Sequence, residues 1–281
     1  MCPRFVRFAL RGVLPVPEEG ETDKDGVQVN GYYFQTKIEA QGIFSMDEKR
    51  WASFLSVRKD DGDTFHYERV LNGNGYQCVA GLDEAGRGPL AGPVVAGCVV
   101  LPPDCDYQSF EDSKKLSPAR RQTLFETLHS CGARIGVAVV PAAEIDRINI
   151  LQASLQAMIR AVFDMAGQSA ADLPDFLLVD GRFKAPIDLP QQAMIKGESK
   201  SASIAAASII AKVTRDRLMV EYHERYPEYN FARHKGYATA EHRRAVERYG
   251  PCPLHRRTFR GVREFLPDQH ERTTPQQMAL W

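Results

Sequence analysis

Val79-Ala80-Gly81-Leu82-Asp83-Glu84-Ala85-Gly86-Arg87-Gly88-Pro89-Leu90-Ala91-Gly92-Pro93 carries an apolar run into two adjacent carboxylates, then into a glycine-punctuated turn with one arginine. That order describes a buried strand delivering charge to the rim of a sheet. Successive strand residues point to opposite faces, so Asp83 and Glu84 can share a ligand only if the chain turns there, and Gly86 and Gly88 permit a turn. Two uncompensated carboxylates repel each other and require a cation. Gly86-Arg87-Gly88 brings backbone N–H groups and a guanidinium within reach of an anion beside the same carboxylates. An isolated Asp-Glu pair would read as an ordinary acidic turn; these neighbours argue otherwise. A dinucleotide-binding fingerprint does not fit, because the third glycine falls at 92 instead of 91 and Pro89 and Pro93 interrupt the helix that should follow.

A chain of 281 residues can hold one large domain with appendages and a substantial core. Hydrophobic residues at 43% and charged residues at 26% suit a globular, water-soluble protein, and no apolar run reaches membrane-spanning length. The six cysteines (2, 78, 98, 105, 131, 252) show no C-x-x-C spacing and read as reduced thiols of a cytoplasmic protein, with neither a disulfide frame nor a zinc site. A formal net charge of zero conceals a basic end: between Arg233 and Arg263 nine Arg or Lys face two Glu.

Around the opening stretch, Val- and Ile-rich runs predict strands at Gln77–Leu82, Val94–Leu101 and Ala133–Val140, with a short helix at Phe65–Leu71 before them. Ser117-Pro118 predicts a capped helix over Ala119–His129, and apolar spacing predicts one long helix over Ile145–Ala166. Just before the first of these, Lys114 and Lys115 could grip a phosphate or could simply form a solvated turn. Phe176–Asp180 repeats the opening logic, an apolar strand ending in Asp followed by Gly181. In a parallel pair both carboxyl ends share one sheet edge, so Asp180 can meet Asp83. A short strand at Ala193–Lys196 leads to Glu198. A long helix follows over Ser201–Tyr226, its small-residue first half suited to pressing on the sheet with its positive end near the carboxylates.

Glu198 and Asp216 compete for a fourth acidic role. They lie roughly 27 Å apart along what is mostly one helix at ~1.5 Å per residue, so only one can sit at the site. Glu198 stands at the helix entrance where Asp83 and Asp180 emerge, whereas Asp216 between Arg215 and Arg217 reads as paired surface charge. Four carboxylates without a dedicated thiol or imidazole point to Mg²⁺ or Mn²⁺ and to in-line displacement at phosphorus.

Asp83 to Pro93, Asp112-Ser113-Lys114-Lys115-Leu116, Val179-Asp180-Gly181, Ser203 to Arg217, His234-Lys235-Gly236-Tyr237 and Gly250 to Arg257 together resemble bacterial ribonuclease HII in order and spacing, over roughly Phe65 to Phe265. The resemblance implies a ribonuclease H-like α/β fold: a mixed five-stranded sheet flanked by helices, with extra C-terminal helices. It implies metal-dependent cleavage of RNA in RNA–DNA hybrids, and of single ribonucleotides embedded in duplex DNA, leaving 3′-hydroxyl and 5′-phosphate ends. By the same resemblance Asp83, Glu84 and Asp180 are metal ligands, two ions acting during catalysis. The Gly86-Arg87-Gly88 turn resembles the element that reads the ribonucleotide 2′-hydroxyl, and Tyr237 resembles the ring that checks the next sugar. Only glycine lets a backbone come that close to a sugar, and an exposed ring in a basic loop suits stacking. The chain departs from the family pattern at Glu198, where an aspartate is usual.

Residues 1–63 match no motif, and Met46 could encode the native start, which would make the first 45 residues a gene-model extension. The stretch 267–281 reads as a polar tail whose last six residues, Gln276 to Trp281, look like the peptide by which replication proteins dock into the sliding clamp. The expected domains are therefore 1–63, 64–266 and 267–281, in a monomer. The sister ribonuclease HIII usually has lysine where Arg87 stands and carries a structured N-terminal domain. A binding module using the basic end alone would have no use for carboxylates gathered where phosphates must arrive.

Overall fold

Asp83 reaches its place because strand β1, Val79–Ala85, is central in the sheet. In the computed structural model, which describes residues 63–110, 113–167 and 169–266, β1 pairs antiparallel with β2, Val94–Val100, and parallel with β4, Phe176–Asp180. β3, Arg134–Val140, flanks β2, and β5, Gln191–Met194, flanks β4, giving the order β3-β2-β1-β4-β5. This is the mixed five-stranded sheet expected from the sequence. The Met46 start, Asp112, the tail and its clamp-docking peptide lie outside the described residues.

Helix α1, His66–Gly73, precedes the sheet, and α2, Pro118–Ser130, joins β2 to β3. Ser117 caps α2 by accepting from Arg120 N–H, with proline at the first helical position as expected. The single helix expected over Ile145–Ala166 is instead two: α3, Ala142–Ile148, and α4, Ile150–Ala166. Asn149 divides them at φ 67°, ψ 164°, and its Oδ1 accepts from Leu151 N–H and Gln152 N–H, so it caps α4 in a conformation an L residue rarely takes.

The long helix α5, Ala202–Arg225, presses on the sheet where its small side chains permit. A Cβ at Gly81 would fall 2.1 Å from the Ser203 carbonyl carbon, and one at Gly97 would fall 2.5 Å from Ala207 O. Glycine on the strands and Ala or Ser on the helix are therefore one packing solution. α5 and α2 cover one face of the sheet around Val99, Leu124, Leu128, Ile209 and Ile210, and α4 covers the other around Leu82, Val94, Ala157 and Val162. Helices α6, Phe231–His234, and α7, Ala240–Tyr249, supply the expected C-terminal addition, built on a cluster of Ala91, Met219, Tyr229, Phe231 and Val246. No helix among the described residues is long and apolar enough to cross a membrane.

The strand ends that bear on the site differ from expectation. β1 runs on to Ala85, paired with Val95, so both carboxylates lie within the strand and the turn at Gly86, φ 102°, follows them. β5 ends at Met194, because Lys196 turns into the left-handed region at φ 57°.

Candidate active site at the sheet edge

Leu82 is in register with Val179, which puts Asp83 and Asp180 side by side at the carboxyl ends of neighbouring parallel strands. Asp83 is 4% exposed and accepts from Glu84 N–H at 2.6 Å. Asp180 accepts from Gly197 N–H at 2.7 Å, which ties it to the one-turn 3-10 helix Gly197–Ser199 that carries Glu198. Of the two acidic candidates, Glu198 lies against Asp180, whereas Asp216 pairs with Lys212 at 2.6 Å one turn away along α5.

Crowding shows in the acidities. Burial, then the charges of Glu84 and Asp180, pushes the Asp83 carboxyl well above the usual carboxylate range. Burial also raises Glu84, against the pull of Arg87. Asp180 is pushed up to about 6 by burial and by facing Glu198. For Glu198 burial acts upward, but its own backbone N–H, the proton shared with Asp180 and Lys114 outweigh it and hold the carboxyl low.

Two cations answer this charge incompletely. Arg87 Nη1 lies 3.2 Å from Glu84 Oε1, and Lys114 Nζ lies 3.6 Å from Glu198 Oε1. Glu198 Oε2 is buried without a hydrogen-bond donor. The four carboxylates are not closed into a ready-made cage among the described residues. Nevertheless the donor set fits a hard divalent cation: all-oxygen ligands, one of them orphaned, and carboxyls at Asp83, Glu84 and Asp180 raised by burial, with neighbouring carboxylates adding to the rise at Asp83 and Asp180, a cost that such an ion would relieve. Lys115 is exposed, and among the described residues no ion pair joins it to the cluster.

The glycine turn stands over the same edge. Arg87 and Gly88 are exposed, and a Cβ on Gly88 would lie 3.8 Å from the Tyr237 ring, itself 45% exposed. A narrow cleft beside them is lined by Glu84, Arg87, Asp180, Phe183 and Ser154, whose buried hydroxyl has no partner. A roomier hollow lies elsewhere, lined by Arg233, Thr239, Glu241 and Arg244, and holds a single carboxylate, so the chemistry favours the narrow cleft.

Sequence reasoning missed what lies beneath the turn. Arg256 is fully buried; it donates from Nη2 to Gly86 O and from Nη1 to Arg87 O at 2.8 Å, and from Nε to Gly92 O at 3.1 Å. Arg215, expected on the surface, is 1% exposed, donates from Nε to Pro93 O at 2.9 Å, and lies 6.0 Å from the Tyr237 ring centroid. In the string Arg215-Asp216-Arg217 nothing marks which arginine turns inward.

Residues 80–262 match the family model described as Ribonuclease HII. The chain is 55% identical over 210 residues to a ribonuclease HII of Desulfotalea psychrophila, covering 75% of this chain and 92% of that one. It is 53% identical over 252 residues to a ribonuclease HII of Geobacillus thermodenitrificans, covering 89% of this chain and 94% of that one. Among solved structures, the ribonuclease H2 of Pyrococcus horikoshii OT3 superposes with a TM-score of 0.55 at 28% identity, covering 66% of this chain and 96% of that one.

Proposed function

The chain belongs to the ribonuclease HII family, and from that premise we propose that it hydrolyses the RNA strand of RNA–DNA hybrids and cuts on the 5′ side of single ribonucleotides in duplex DNA, leaving 3′-hydroxyl and 5′-phosphate ends. The observation that carries this reading is the meeting of Asp83, Glu84, Asp180 and Glu198 at one sheet edge beside the exposed Arg87 and Gly88 of the glycine turn.

Asp83, Glu84 and Asp180 would hold oxygen-ligated divalent ions, Mn²⁺ or Mg²⁺, with Glu198 as fourth carboxylate. Such an ion supplies an activated water and steadies charge on the leaving oxygen when bound. The chain's own residues do the recognition. Burial and the mutual repulsion of Asp83, Glu84 and Asp180 keep a strong demand for positive charge where the phosphodiester must arrive. With the Gly86 and Arg87 carbonyls engaged by Arg256, the N–H groups are what the turn offers a ribose 2′-hydroxyl. The Tyr237 ring stands beside Gly88 to meet the following sugar, and Lys114 and Lys115 attract the strand's phosphates. Glu198, one methylene longer than aspartate, would reach such ions from the turn after β5; unchanged turnover of Glu198→Gln at limiting Mn²⁺ would remove that role.

This activity belongs to ribonucleotide removal from DNA in the cytoplasm. The Gln276–Trp281 peptide suits docking to the sliding clamp, and loss of clamp binding on deleting residues 276–281 tests it. The decisive experiment on the activity is incubation of a DNA duplex holding one ribonucleotide, beside an all-DNA control, with and without Mn²⁺ or Mg²⁺. A metal-dependent cut on the 5′ side of the ribonucleotide is expected. Tight binding without cutting would overturn the proposal in favour of a binding module.

A further inference from the structure

Three buried histidines and a half-buried cysteine meet in the C-terminal part of the fold, away from the carboxylates. His242 and His255 are 0% and 1% exposed, with Nε2 atoms 3.0 Å apart. The hydrogen bonds around them allow one arrangement of protons. Cys252 N–H donates to His255 Nδ1 at 3.0 Å, and the Cys252 thiol lies 3.2 Å from the same nitrogen. His255 Nδ1 is therefore an acceptor, and the neutral ring carries its proton on Nε2. That proton can go only to His242 Nε2, which fixes the His242 proton on Nδ1. His242 Nδ1 lies 2.9 Å from the carbonyl of Tyr237 and donates to it. His234 stacks on His242 with centroids 4.4 Å apart; it accepts from Gly236 N–H at Nδ1 and donates from Nε2 to Tyr229 O at 2.7 Å.

We propose that this one-way chain, from Cys252 through His255 and His242 to the Tyr237 carbonyl, sets the position of the Tyr237 ring, and that His242 and His255 are positioning residues for discrimination at the sugar after the ribonucleotide. The proposal rests on the reading of Tyr237 given above. The chain ends where it can act: Tyr237 N–H is held by His234 O at 2.9 Å, and Gly236 O accepts from Leu90 N–H at 2.8 Å, which joins the histidine loop to the glycine-rich loop. Burial holds both His242 and His255 down at about 4, so the rings stay neutral at working pH and the proton order persists.

Two measurements test it. Asparagine places an amide where Nδ1 stood and can still donate to Tyr237 O, whereas glutamine reaches only the Nε2 position. His242→Gln is expected to lower kcat/KM on a duplex with one ribonucleotide about tenfold more than on a continuous RNA–DNA hybrid, and His242→Asn to restore most of the ratio. Equal losses on both substrates, or equal behaviour of the two variants, would overturn the positioning role. Tyr237→Ala in the same assay separates the premise: an unchanged ratio there defeats the Tyr237 reading. ¹⁵N NMR of the native rings tests the chain whatever Tyr237 does, with His242 expected as the Nδ1–H form and His255 as the Nε2–H form. Reversed tautomers, or a charged ring near pH 7, would overturn it.

Discussion

Arg256 Nη1 donates to the backbone carbonyl of Arg87 at 2.8 Å, so a side chain from the far end of the domain holds the glycine turn from below. Its guanidinium is fully buried and faces carbonyl oxygens, and burial drags its pKa down to about 9. A planar fork meets several carbonyls at once, which an ammonium cannot do. Arg256→Lys is therefore expected to cost about 2–4 kcal/mol of stability, since each lost hydrogen bond to a charged group is worth about 1.5–3 kcal/mol. Urea unfolding checks this, and a loss below about 0.5 kcal/mol would show that the turn holds itself.

The acidic residues that were legible in the sequence sit at or near an element boundary: Asp83 and Glu84 in the last three residues of β1, Asp180 as the last residue of β4, and Glu198 in the short turn of helix after β5. Asp180 closes an apolar run and Glu198 opens a helix, so periodicity places both, and strand pairing then brings Asp180 to Asp83. Arg215, Arg256, His242 and His255 were not legible because they lie in charged or polar strings whose inward members are chosen by tertiary packing. The split at Asn149 left a fainter signal. An asparagine ahead of Ile150-Leu151-Gln152 is a fair helix cap, but apolar spacing continues across it and masks the break.

Glu68 anchors the start of the helix that follows the site. Its Oε1 accepts from Ser201 Oγ at 2.6 Å and from Ser203 N–H at 3.0 Å, while Ser201 N–H donates to Gly197 O at 2.9 Å. Burial raises its pKa. Glu68→Gln keeps an acceptor oxygen and is expected to be tolerated within about 1 kcal/mol, whereas Glu68→Ala strands buried donors and should cost about 2–3 kcal/mol. Thermal melts of the two variants decide, and equal losses would show that charge, not hydrogen bonding, matters there.

The paired histidines predict a pH effect of definite sign. His242 and His255 titrate at about 4 in the fold, against an ordinary 6.5, because burial opposes their charging. The groups facing them are His234, the Cys252 thiol, the rings of Tyr229 and Phe231, and backbone groups including the Tyr237 carbonyl. A depressed pKa means the unfolded chain takes up the protons first, so the stability these rings contribute is present above pH 6.5 and is lost as pH falls toward 4. The loss is up to about 3 kcal/mol per ring at 1.36 kcal/mol per pKa unit. Urea titrations of the native chain and His242→Asn between these limits should diverge, the native chain losing more. Parallel curves would place the protonation elsewhere.

Asp83 carries the last prediction, in which stability and function oppose each other. Its carboxyl is 4% exposed, raised first by burial and then by Glu84 and Asp180, and Asp180 itself titrates at about 6. A raised carboxylate pKa means the fold holds protons the unfolded chain has released. The stability contribution is thus full below the unfolded pKa and lost as pH rises through the folded one. Stripped of divalent ions by EDTA, the protein should therefore feel the repulsion among Asp83, Glu84 and Asp180 most above pH 7. Asp83→Asn keeps the shape and the acceptor for Glu84 N–H but removes one charge. It is expected to raise metal-free stability by about 1–2 kcal/mol at pH 8 and by much less at pH 4.5, while abolishing cleavage and the thermal shift on adding Mn²⁺. Melts in EDTA at the two pH values read the first effect, and melts with Mn²⁺ the second. A variant destabilised more at pH 8 than at pH 4.5 would mean that the charge on Asp83 is compensated within the fold and makes no demand for a cation.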